Sequence, residues 1–597
     1  MKVLLAAVNA KYIHSNLGIY SLKAYGEKML AEQGFKREQI QIELAEYTIN
    51  HQLEQILKDL YCRKPDVIGF SCYIWNISYI KCLLADIKKV LPEVKIWLGG
   101  PEVSYCGEEI LREQPAADLV MKGEGEETFA QLLQVLVEKE GSGASFSGYL
   151  EEIKQKWIPG LVFLDSQGNK DGASWGTFTG SDGQAGWPVY DTGIRPPMDM
   201  NRIPFPYGFL EMEQLEHRII YYESSRGCPF SCAYCLSSID KSVRFRSLER
   251  VREELSFFLN ARVPQVKFVD RTFNCKKSHA MAVWQFIREN DNGITNFHFE
   301  IAADLLDQEE LNLLSSMRPG LIQLEIGVQS TNPDTLSAIR RKTDIAEIRK
   351  ITHHINSRHN IHQHLDLIAG LPYEDYQSFR NSFCQVYRME PDQLQLGFLK
   401  VLKGSAMYEE AAQYQILYKE KEPYEVLSTR WLSYEEILKL KMVESMVEVY
   451  YNSGQFQHTL GWIMERVENP FDFFESLGAF YEEKGYSEIS HSRIRRYEIL
   501  LEFLQEKTAI SWETASRYMV YDLYLREKLK KRPDFASDQK PYERAIWNYR
   551  KANAIPKTAH IEVFGHREAV LFDYEKRKPL TNNAEAYRIS LSYEDDH

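Results

Sequence analysis

The sequence lacks long apolar runs and has no excess of basic residues, and both absences exclude classes of protein. Its longest apolar stretches fall far below the roughly 20 residues of a membrane-spanning helix, so we expect no membrane span and no membrane partner. The apolar run at residues 3–8 is too short for the core of a secretory signal. A net charge of −13 argues against a nucleic-acid partner, because duplex binding rests on phosphate neutralisation by Lys and Arg.

Cysteine is also scarce, with nine in 597 residues. A long chain with few cysteines and no secretory signal predicts a cytoplasmic location, where clustered thiols more often bind metal than form disulfides. Hydrophobic residues make up 44% and charged residues 26%, which is typical of a globular protein. At roughly 150 residues per domain, the length predicts two to four domains.

Short apolar runs alternate with amphipathic stretches over the first 130 residues. The runs are residues 2–8, 40–47, 66–73, 95–100 and 117–123. Continuous apolar strands that alternate with helices predict an α/β domain with a doubly wound, Rossmann-like parallel sheet, which we place at residues 1–140. The next stretch is rich in Gly, Ser and Asp, and we interpret residues 141–212 as a linker or excursion and not as a packed domain.

A second alternation of apolar runs and helical patterns begins near Tyr221. The runs are residues 219–225, 265–270, 297–303, 321–329, 364–371 and 393–401. Six strand–helix repeats predict a partial (β/α)6 barrel similar to a TIM barrel, with its chemistry at the carboxyl ends of the strands. We place the barrel at residues 213–410. Residues 411–597 are predicted to be largely helical and to end in two strand-like pieces, HIEVFGH and AVLFDYE.

Three cysteines lie close together in one loop after the first strand of the predicted barrel. They are Cys228, Cys232 and Cys235 in CPFSCAYC, and no fourth cysteine follows closely. Structural zinc sites use four ligands, commonly from two separated knuckles, whereas iron–sulfur clusters take closely spaced thiolates. A cubane held by three cysteines leaves one iron open to a substrate or cofactor. Two alternatives stay open here: a zinc site completed by Cys275 or a histidine, and a coincidental grouping of thiols.

CPFSCAYC resembles the CxxxCxΦC signature of radical S-adenosylmethionine (SAM) enzymes, with Tyr234 as the aromatic residue. The resemblance implies a 4Fe–4S cluster whose open iron chelates SAM and whose electron cleaves the sulfonium to a 5′-deoxyadenosyl radical. Iron–sulfur potentials reach down to about −700 mV, which suits such a reduction.

The resemblance also implies roles for residues at neighbouring strand ends. Asp270 and Glu325 are the catalytic candidates, with Asp270 near the methionine moiety of SAM and Glu325 near its ribose and carboxylate. The complete set expected to bind SAM is Tyr234, Asp270, Glu325, Gln329, Arg340, Arg341 and Gly370. For each of these residues the alternative is a structural ion pair, a helix cap or a packing role.

Glycine-bearing turns follow three strands of the first domain, in SCYIWN, GGPEVS and GEGEET. No GxGxxG follows the first strand, which disfavours a dinucleotide. Together these turns resemble the cobalamin-binding domain of radical SAM enzymes that use both cofactors, a resemblance that covers residues 1 to about 405. It implies a cobalamin site formed by Tyr12, Ser71, Tyr73, Gly99, Gly100, Gly123, Glu124 and Glu126.

The cobalt-ligating motif of other cobalamin proteins, DxHxxG, is absent. His14 is followed by Gly18 one position too late, and Tyr12 occupies the place of the Asp. We therefore expect base-off, His-off cobalamin, with only Tyr12, Tyr73 or water beneath the cobalt. The alternative is a vestigial domain that no longer binds cobalamin.

The resemblance implies a methyltransferase that acts on an unactivated carbon. One SAM would methylate Co(I), and a second would give the radical that activates the substrate, a small molecule or peptide. A reductant such as flavodoxin or ferredoxin would supply electrons. Two alternatives are use of cobalamin for redox or rearrangement chemistry, and a non-catalytic iron–sulfur or zinc protein, which would need neither Asp270 nor Glu325.

Overall fold

The structure is a computed structural model, and it describes residues 1–36, 39–140, 146–164, 189–208, 218–565 and 568–591. The chain divides into two compact units. Unit 1 comprises Met1–Glu300, Ile339–Arg341 and Lys400–Val426. Unit 2 comprises Ile301–Ala338, Lys342–Leu399 and Leu427–His597.

The strands in chain order are β1 (Lys2–Asn9), β2 (Gln41–Thr48), β3 (Val67–Ser71), β4 (Lys95–Gly99), β5 (Leu119–Met121), β6 (Leu161–Leu164), β7 (Val189–Asp191), β8 (Ile219–Tyr222), β9 (Ser225–Arg226), β10 (Arg244–Phe245), β11 (Gln265–Phe268), β12 (Asn296–Ile301), β13 (Ile322–Gln329), β14 (His362–Ala369), β15 (Gln393–Phe398), β16 (Leu417–Tyr418), β17 (Val426–Ser428), β18 (His560–Gly565), β19 (Glu568–Arg577) and β20 (Ala584–Ile589).

The α-helices are α1 (Leu17–Glu32), α2 (Leu53–Arg63), α3 (Ile77–Val90), α4 (Gly107–Glu113), α5 (Glu126–Glu140), α6 (Phe146–Lys156), α7 (Leu248–Asn260), α8 (Lys277–Glu289), α9 (Gln308–Ser315), α10 (Pro333–Ala338), α11 (Ile345–Asn356), α12 (Tyr376–Tyr387), α13 (Ala406–Glu410), α14 (Tyr434–Met446), α15 (Gln457–Met464), α16 (Pro470–Glu483), α17 (Arg493–Lys507), α18 (Trp512–Arg526) and α19 (Glu543–Ala552). None of the helices in the described ranges is both long and apolar enough to cross a membrane.

The N-terminal sheet has the order β2-β1-β3-β4-β5-β6-β7, and its first five strands are parallel. Strand β1 is buried from Val3 to Val8, since helices cover both faces of the sheet, and this explains its unbroken apolar sequence. The predicted doubly wound fold is confirmed. The strand order reverses between β1 and β3, and in such sheets ligands bind at the carboxyl ends of the strands beside this reversal.

Part of the Gly- and Ser-rich stretch is packed, contrary to expectation. Strands β6 and β7 extend the N-terminal sheet in antiparallel fashion, and Val162 and Phe163 are buried. The interpretation of residues 141–212 as an unpacked linker therefore does not hold for β6 and β7. Its most Gly-rich part, residues 168–188, lies outside the described residues.

The predicted six strand–helix repeats of the partial barrel are confirmed. In unit 1, β11 pairs in parallel with β8 and β12, and in unit 2, β14 pairs in parallel with β13 and β15. Helices follow the strands in the order that the periodicity predicts. The cysteine loop begins where β8 ends, at the carboxyl end of the first barrel strand.

The C-terminal part of unit 2 is largely helical, as predicted, and ends in an antiparallel sheet of the order β18-β19-β20. Val570 and Phe572 of β19 pack against residues of α18, whereas Ala569 on the other face packs against residues of α19. Strand β20 was not expected, because its sequence AEAYRI has no continuous apolar run, and Ala584 is the one residue of this strand that is buried.

Candidate functional site

The cysteine loop is closed at its base by a short antiparallel ladder. Arg226 of β9 lies opposite Arg244 of β10, and the Cys228 N–H donates to the Asp240 carbonyl at 3.0 Å. Gly227 has φ +89°, and an added Cβ would lie 2.7 Å from a backbone oxygen, so this turn requires glycine. The chain therefore presents its three cysteines in one loop with a defined entrance and exit.

The cysteine side chains lie beside a guanidinium group. Cys228 and Cys232 are buried and Cys235 is partly exposed. Arg341 Nη1 lies 3.7 Å from Cys232 Sγ and 3.5 Å from the Tyr234 hydroxyl. Burial raises the pKa of the Cys232 thiol, and the charge of Arg341 opposes this rise. The loop thus provides closely spaced thiols together with a cation that favours their thiolate form.

The thiols are not arranged for one metal ion. Among the residues that the structure describes, no group of three His, Cys, Asp or Glu side chains could hold a single metal ion. In a cubane each cysteine binds a different iron, so the three sulfurs need not converge on one point. Cys275 follows β11, and burial together with the neighbouring Cys228 thiol raises its pKa to about 11. Cys275 is therefore near the cysteine loop despite its separation in sequence.

Asp270 is wholly buried beneath the entrance to the cysteine loop. Its Oδ1 accepts hydrogen bonds from the hydroxyls of Ser224 at 2.6 Å and Ser225 at 2.5 Å, and its Oδ2 accepts one from the Ser224 N–H at 3.0 Å. Burial raises its pKa to about 6, although these hydrogen bonds oppose the rise. Three hydrogen bonds from the protein's own chain already reach this carboxylate, and its contact with the methionine moiety of SAM stays a prediction. The Asp270 carboxylate supports the protein's own chain.

Replacement of Asp270 by Ala should lower the free energy of unfolding by about 2–4 kcal/mol, because three buried donors lose their acceptor. Iron content after anaerobic reconstitution should also fall, since those donors belong to the entrance of the cysteine loop. Urea unfolding and iron analysis measure the two effects. The control is Asp86→Ala, which removes an exposed carboxylate paired with Lys89 and should cost at most about 0.5 kcal/mol. Normal iron content together with weakened SAM binding in Asp270→Ala would instead favour a direct contact between Asp270 and SAM.

The two arginine candidates differ in their surroundings. Arg340 is half-exposed and pairs with Glu410, whereas Arg341 points toward Cys232 and Tyr234. Only Arg341 is therefore beside the cysteine loop, and this distinction was open in the sequence.

The remaining SAM candidates belong to unit 2. Glu325 and Gln329 lie on β13, whose register with β14 shifts between Gly327 and Gln329, and Gly370, with φ +88°, follows β14. The register partner of Glu325 is His364, whose Nε2 lies 3.0 Å from Asp366 Oδ1. Polar side chains thus share one face of β13 and β14, and the His–Asp pair was not anticipated because its residues alternate with apolar ones as in any half-buried strand.

The turns predicted to bind cobalamin share one edge of the N-terminal sheet. Ala7, Ser71, Gly99 and Met121 are neighbours across the register at the carboxyl ends of β1, β3, β4 and β5. Beyond Ser71, the rings of Tyr73 and Trp75 stack at 4.4 Å, and Trp75 is 43% exposed. Trp75 was not among the candidates, although SCYIWN contains it, because no sequence pattern separates an exposed indole from a buried one.

The glycines of these turns differ in what a side chain at each position would contact. Gly100 has φ +117°, and an added Cβ would lie 2.4 Å from the Cys72 carbonyl oxygen. An added Cβ at Gly99 would meet the flexible end of Met121 at 3.3 Å, and one at Gly123, with φ +70°, would meet Ile194 at 3.1 Å. Gly100 is therefore required by the chain's own backbone, independently of any ligand.

Tyr12 and His14 follow β1 at the same edge. Tyr12 is 70% exposed, and the Arg218 guanidinium lies over its ring at 5.5 Å. His14 Nδ1 lies 2.6 Å from the Tyr221 hydroxyl, and burial lowers the pKa of His14. His14 thus has a polar partner, which the absence of the motif Asp did not suggest, but this partner is uncharged.

We expect His14→Ala to leave the Co(II) paramagnetic resonance spectrum of the cobalamin-loaded protein unchanged and free of nitrogen splitting. The reason is that His14 is out of register with the ligating motif and lacks the carboxylate that normally orients a metal-bound imidazole. Tyr221→Phe is the companion variant, since it removes the hydroxyl that lies beside Nδ1 while leaving the imidazole in place. Nitrogen splitting that disappears in His14→Ala would contradict the His-off expectation.

Glu124 and Glu126 are predicted to contact cobalamin, and in the structure both carboxylates form ion pairs with arginines of the chain. Glu126 binds Arg226 at 2.6 Å, and Glu124 binds Arg244 at 2.6 Å. Both arginines flank the cysteine loop. The loop after β5 therefore contacts the cysteine loop directly.

A later segment of unit 1 contacts both the cysteine loop and the region of the turn after β4. Lys403 pairs with Glu109 at 2.9 Å, and the Tyr424 hydroxyl donates to Glu102 in the turn after β4. The Met407 N–H donates to the carbonyl of Ala233, between two of the cysteines, at 2.8 Å. Residues 403–424 thus brace the turn after β4 and the cysteine loop.

Three family models match the chain. The B12 binding domain model matches residues 3–133, the Radical SAM superfamily model matches residues 222–384, and a model described as a protein of unknown function (DUF4080) matches residues 412–574.

Two similar proteins are methyltransferases. An uncharacterized methyltransferase of Pyrococcus horikoshii is 24% identical over 396 residues, which cover 63% of this chain and 74% of the relative. The 2-(S-pantetheinyl)-carbapenam-3-carboxylate methyltransferase of Streptantibioticus cattleyicolor is 26% identical over 341 residues, which cover 53% of this chain and 44% of the relative. The match therefore spans less than half of the second relative.

One solved structure is similar over most of the chain. It is the cobalamin-dependent S-adenosylmethionine radical enzyme OxsB with aqua-cobalamin bound, with a TM-score of 0.54 and 13% sequence identity. The likeness covers 93% of this chain and 80% of that chain. At this identity it establishes the fold.

Proposed function

We infer that this chain, which belongs to the radical SAM superfamily and carries an N-terminal B12-binding domain, is an enzyme that methylates an unactivated carbon. The observation that carries the proposal is that one compact unit holds both the three-cysteine loop and the glycine-bearing edge of the doubly wound sheet. Two similar proteins, matched over 63% and 53% of this chain, are methyltransferases.

The residues present fit the cofactors of this class. Cys228, Cys232 and Cys235 would hold the 4Fe–4S cluster, Arg341 would neutralise negative charge beside it, and the edge at Ser71 and Gly99 would face cobalamin. When bound, the cluster and SAM supply a 5′-deoxyadenosyl radical and cobalamin supplies the methyl group. The protein's own residues orient these groups and shield them from water.

The substrate is proposed to be a small molecule or peptide, and the electrons to come from a small reductant protein such as flavodoxin or ferredoxin. The polar face of β13 and β14, with Glu325, His364 and Asp366, provides side chains that can orient a polar substrate or the SAM ribose. Glu325 is the candidate for the SAM contact.

The test is turnover of the protein reconstituted with iron, sulfide and cobalamin and reduced with dithionite. Methyl transfer yields S-adenosylhomocysteine in addition to 5′-deoxyadenosine and methionine. Formation of 5′-deoxyadenosine without S-adenosylhomocysteine in the presence of substrate would instead identify a redox or rearrangement reaction. No cleavage of SAM at all would contradict an enzymatic role.

Glu325→Ala should weaken SAM binding by about tenfold, the loss of one charge-assisted hydrogen bond, while iron content stays normal. The matched control is Glu309→Ala, which truncates an exposed glutamate in the first turn of α9. Equilibrium dialysis with SAM measures the affinity of both variants. Equal affinities in the two variants would remove Glu325 from the site.

A further inference from the structure

An ion network joins the loop after β5 to the base of the cysteine loop. Arg226 reaches both carboxylate oxygens of Glu126, at 2.6 and 3.3 Å, and its Nε binds Glu223 at 2.8 Å. Arg244 reaches both oxygens of Glu124, at 2.6 and 3.2 Å. Each arginine thus makes a two-pronged contact with a different glutamate of the same loop, which is the geometry that a guanidinium fork favours.

The network offsets a local conflict of charge. Arg226 and Arg244 lie directly opposite each other in the β9–β10 ladder, and like charges at such positions repel. Their side chains are only 16% and 17% exposed, so water screens this repulsion poorly. The carboxylates of Glu124 and Glu126 supply the opposite charge. Glu223 and Asp240 also pair with these arginines, at 2.8 and 2.7 Å. The two carboxylates of the loop after β5 add to this compensation and tie the base of the cysteine loop to that loop.

Glu126 is the most buried member of the network, with its side chain 6% exposed. Burial by itself would raise the pKa of Glu126, but the Arg226 charge and hydrogen bonds from Arg226 and Ser21 hold it below its usual value. The ion pair is therefore charged at neutral pH. Removal of one partner would leave the other charge buried and unpaired, which strongly disfavours the docked arrangement.

We propose that Glu124, Glu126, Arg226 and Arg244, the loop-bridging network, fix the cobalamin-binding turn after β5 against the cysteine loop and so set the separation of the two cofactors. This inference rests on the proposed function, since it requires both cofactors. Glu126 acts as a positioning residue: it holds Arg226, which lies two positions before Cys228. Both glutamates bind arginines in this network, and the contact of each with cobalamin stays a prediction.

The experiment compares Glu126→Gln with Glu127→Gln in the protein loaded with cluster and cobalamin. Glu127 is the next residue of α5, and it pairs with Arg195 and Arg202, neither of which belongs to the loop-bridging network. Its variant therefore controls for loss of a partly buried ion pair on the same helix. The first readout is the magnetic coupling between Co(II) and the reduced cluster, which depends steeply on their separation. In Glu126→Gln the coupling should differ from the wild-type value or be spread over a wider range of values, and in Glu127→Gln it should match the wild type. Iron content should be equal in both variants.

The second readout is amide hydrogen exchange of the cluster-loaded protein without cobalamin. Residues 227–243 should exchange about tenfold faster in Glu126→Gln, because opening of the loop base becomes easier, and at the wild-type rate in Glu127→Gln. If Glu126→Gln does not fold, Arg226→Lys replaces it, since it keeps the charge but loses the fork.

The outcomes separate this proposal from the proposed function. Equal exchange of residues 227–243 in the Glu126 and Glu127 variants overturns the network. Faster exchange with unchanged coupling shows that the network holds the loop without setting the separation, and it overturns the positioning role. A protein that binds no cobalamin refutes the proposed function, and with it the setting of cofactor separation, while the exchange result still tests the contact between the loops.

Discussion

Replacement of Cys228, Cys232 or Cys235 by Ser, one at a time, is expected to abolish the cluster and all cleavage of SAM. Anaerobically reconstituted wild-type protein should contain about four irons and four sulfides per chain, the content of one cubane. Each cysteine binds a different iron of such a cluster, so the remaining two thiolates do not hold it. Iron and sulfide analysis, together with the paramagnetic resonance of the reduced protein, measures the loss.

The decisive control is Cys275→Ser, because Cys275 lies near Cys228 and is the natural candidate for a fourth ligand. Iron content should be unchanged in this variant, which leaves one iron open for SAM. Cys384→Ser is a second control, since this buried thiol lies on α12 and contacts Asn469. An iron loss in Cys275→Ser equal to that in the triad variants would refute the open iron and favour a four-thiolate site.

Gly100→Ala is expected to weaken cobalamin binding by about 100-fold or more, an effect of roughly 3 kcal/mol. Its Cβ would lie 2.4 Å from the Cys72 carbonyl oxygen, and its φ of +117° is one that L-residues avoid. The turn after β4 must therefore move, and it lies at the edge where the sheet presents its ligand-binding turns. Titration of aquacobalamin followed by absorbance measures the affinity.

Two alanine variants separate the causes of this effect. Gly34→Ala also has a positive φ, +85°, but no atom lies within 4 Å of its added Cβ, so it reports conformational strain alone. Gly99→Ala adds a methyl group next to the flexible end of Met121 and tests the neighbouring position. Gly34→Ala should retain cobalamin binding within about threefold, whereas Gly99→Ala reports on a position that is itself proposed to face cobalamin. Normal affinity in Gly100→Ala would show that the turn tolerates displacement.

Local patterns in the sequence predict the architecture because the relevant forces act between near neighbours. A strand covered by helices on both faces must be apolar at every position, and Val3–Val8 has that signature. The strands from Tyr221 onward alternate with amphipathic helices, and such strand–helix repeats can fold into only a few sheet topologies. Strands β6 and β20 were not predicted, since one lies in a Gly- and Ser-rich stretch and the other has no continuous apolar run.

Some candidate residues could be identified from a short segment alone, whereas the surroundings of others depend on segments that are distant in sequence. The cysteines were identifiable because cluster ligation requires them within one loop. Asp270 lies at the predicted strand end, but no sequence pattern showed that its carboxylate accepts hydrogen bonds from Ser224 and Ser225, which belong to another element. Arg341 was distinguished from Arg340 only by what surrounds each side chain.

The sequence by itself determined the two α/β folds and the cysteine loop, because these follow from periodicity and from the spacing of ligands within short segments. The class of chemistry was implied by the resemblance of that loop to a family signature. Only the tertiary structure decided what the charged residues between those segments do. Glu126 and Arg226 are 100 positions apart and meet because the turn after β5 and the base of the cysteine loop come together in space. No local pattern records such a contact, since each residue alone is compatible with a solvated surface, and burial gives the pair its strength.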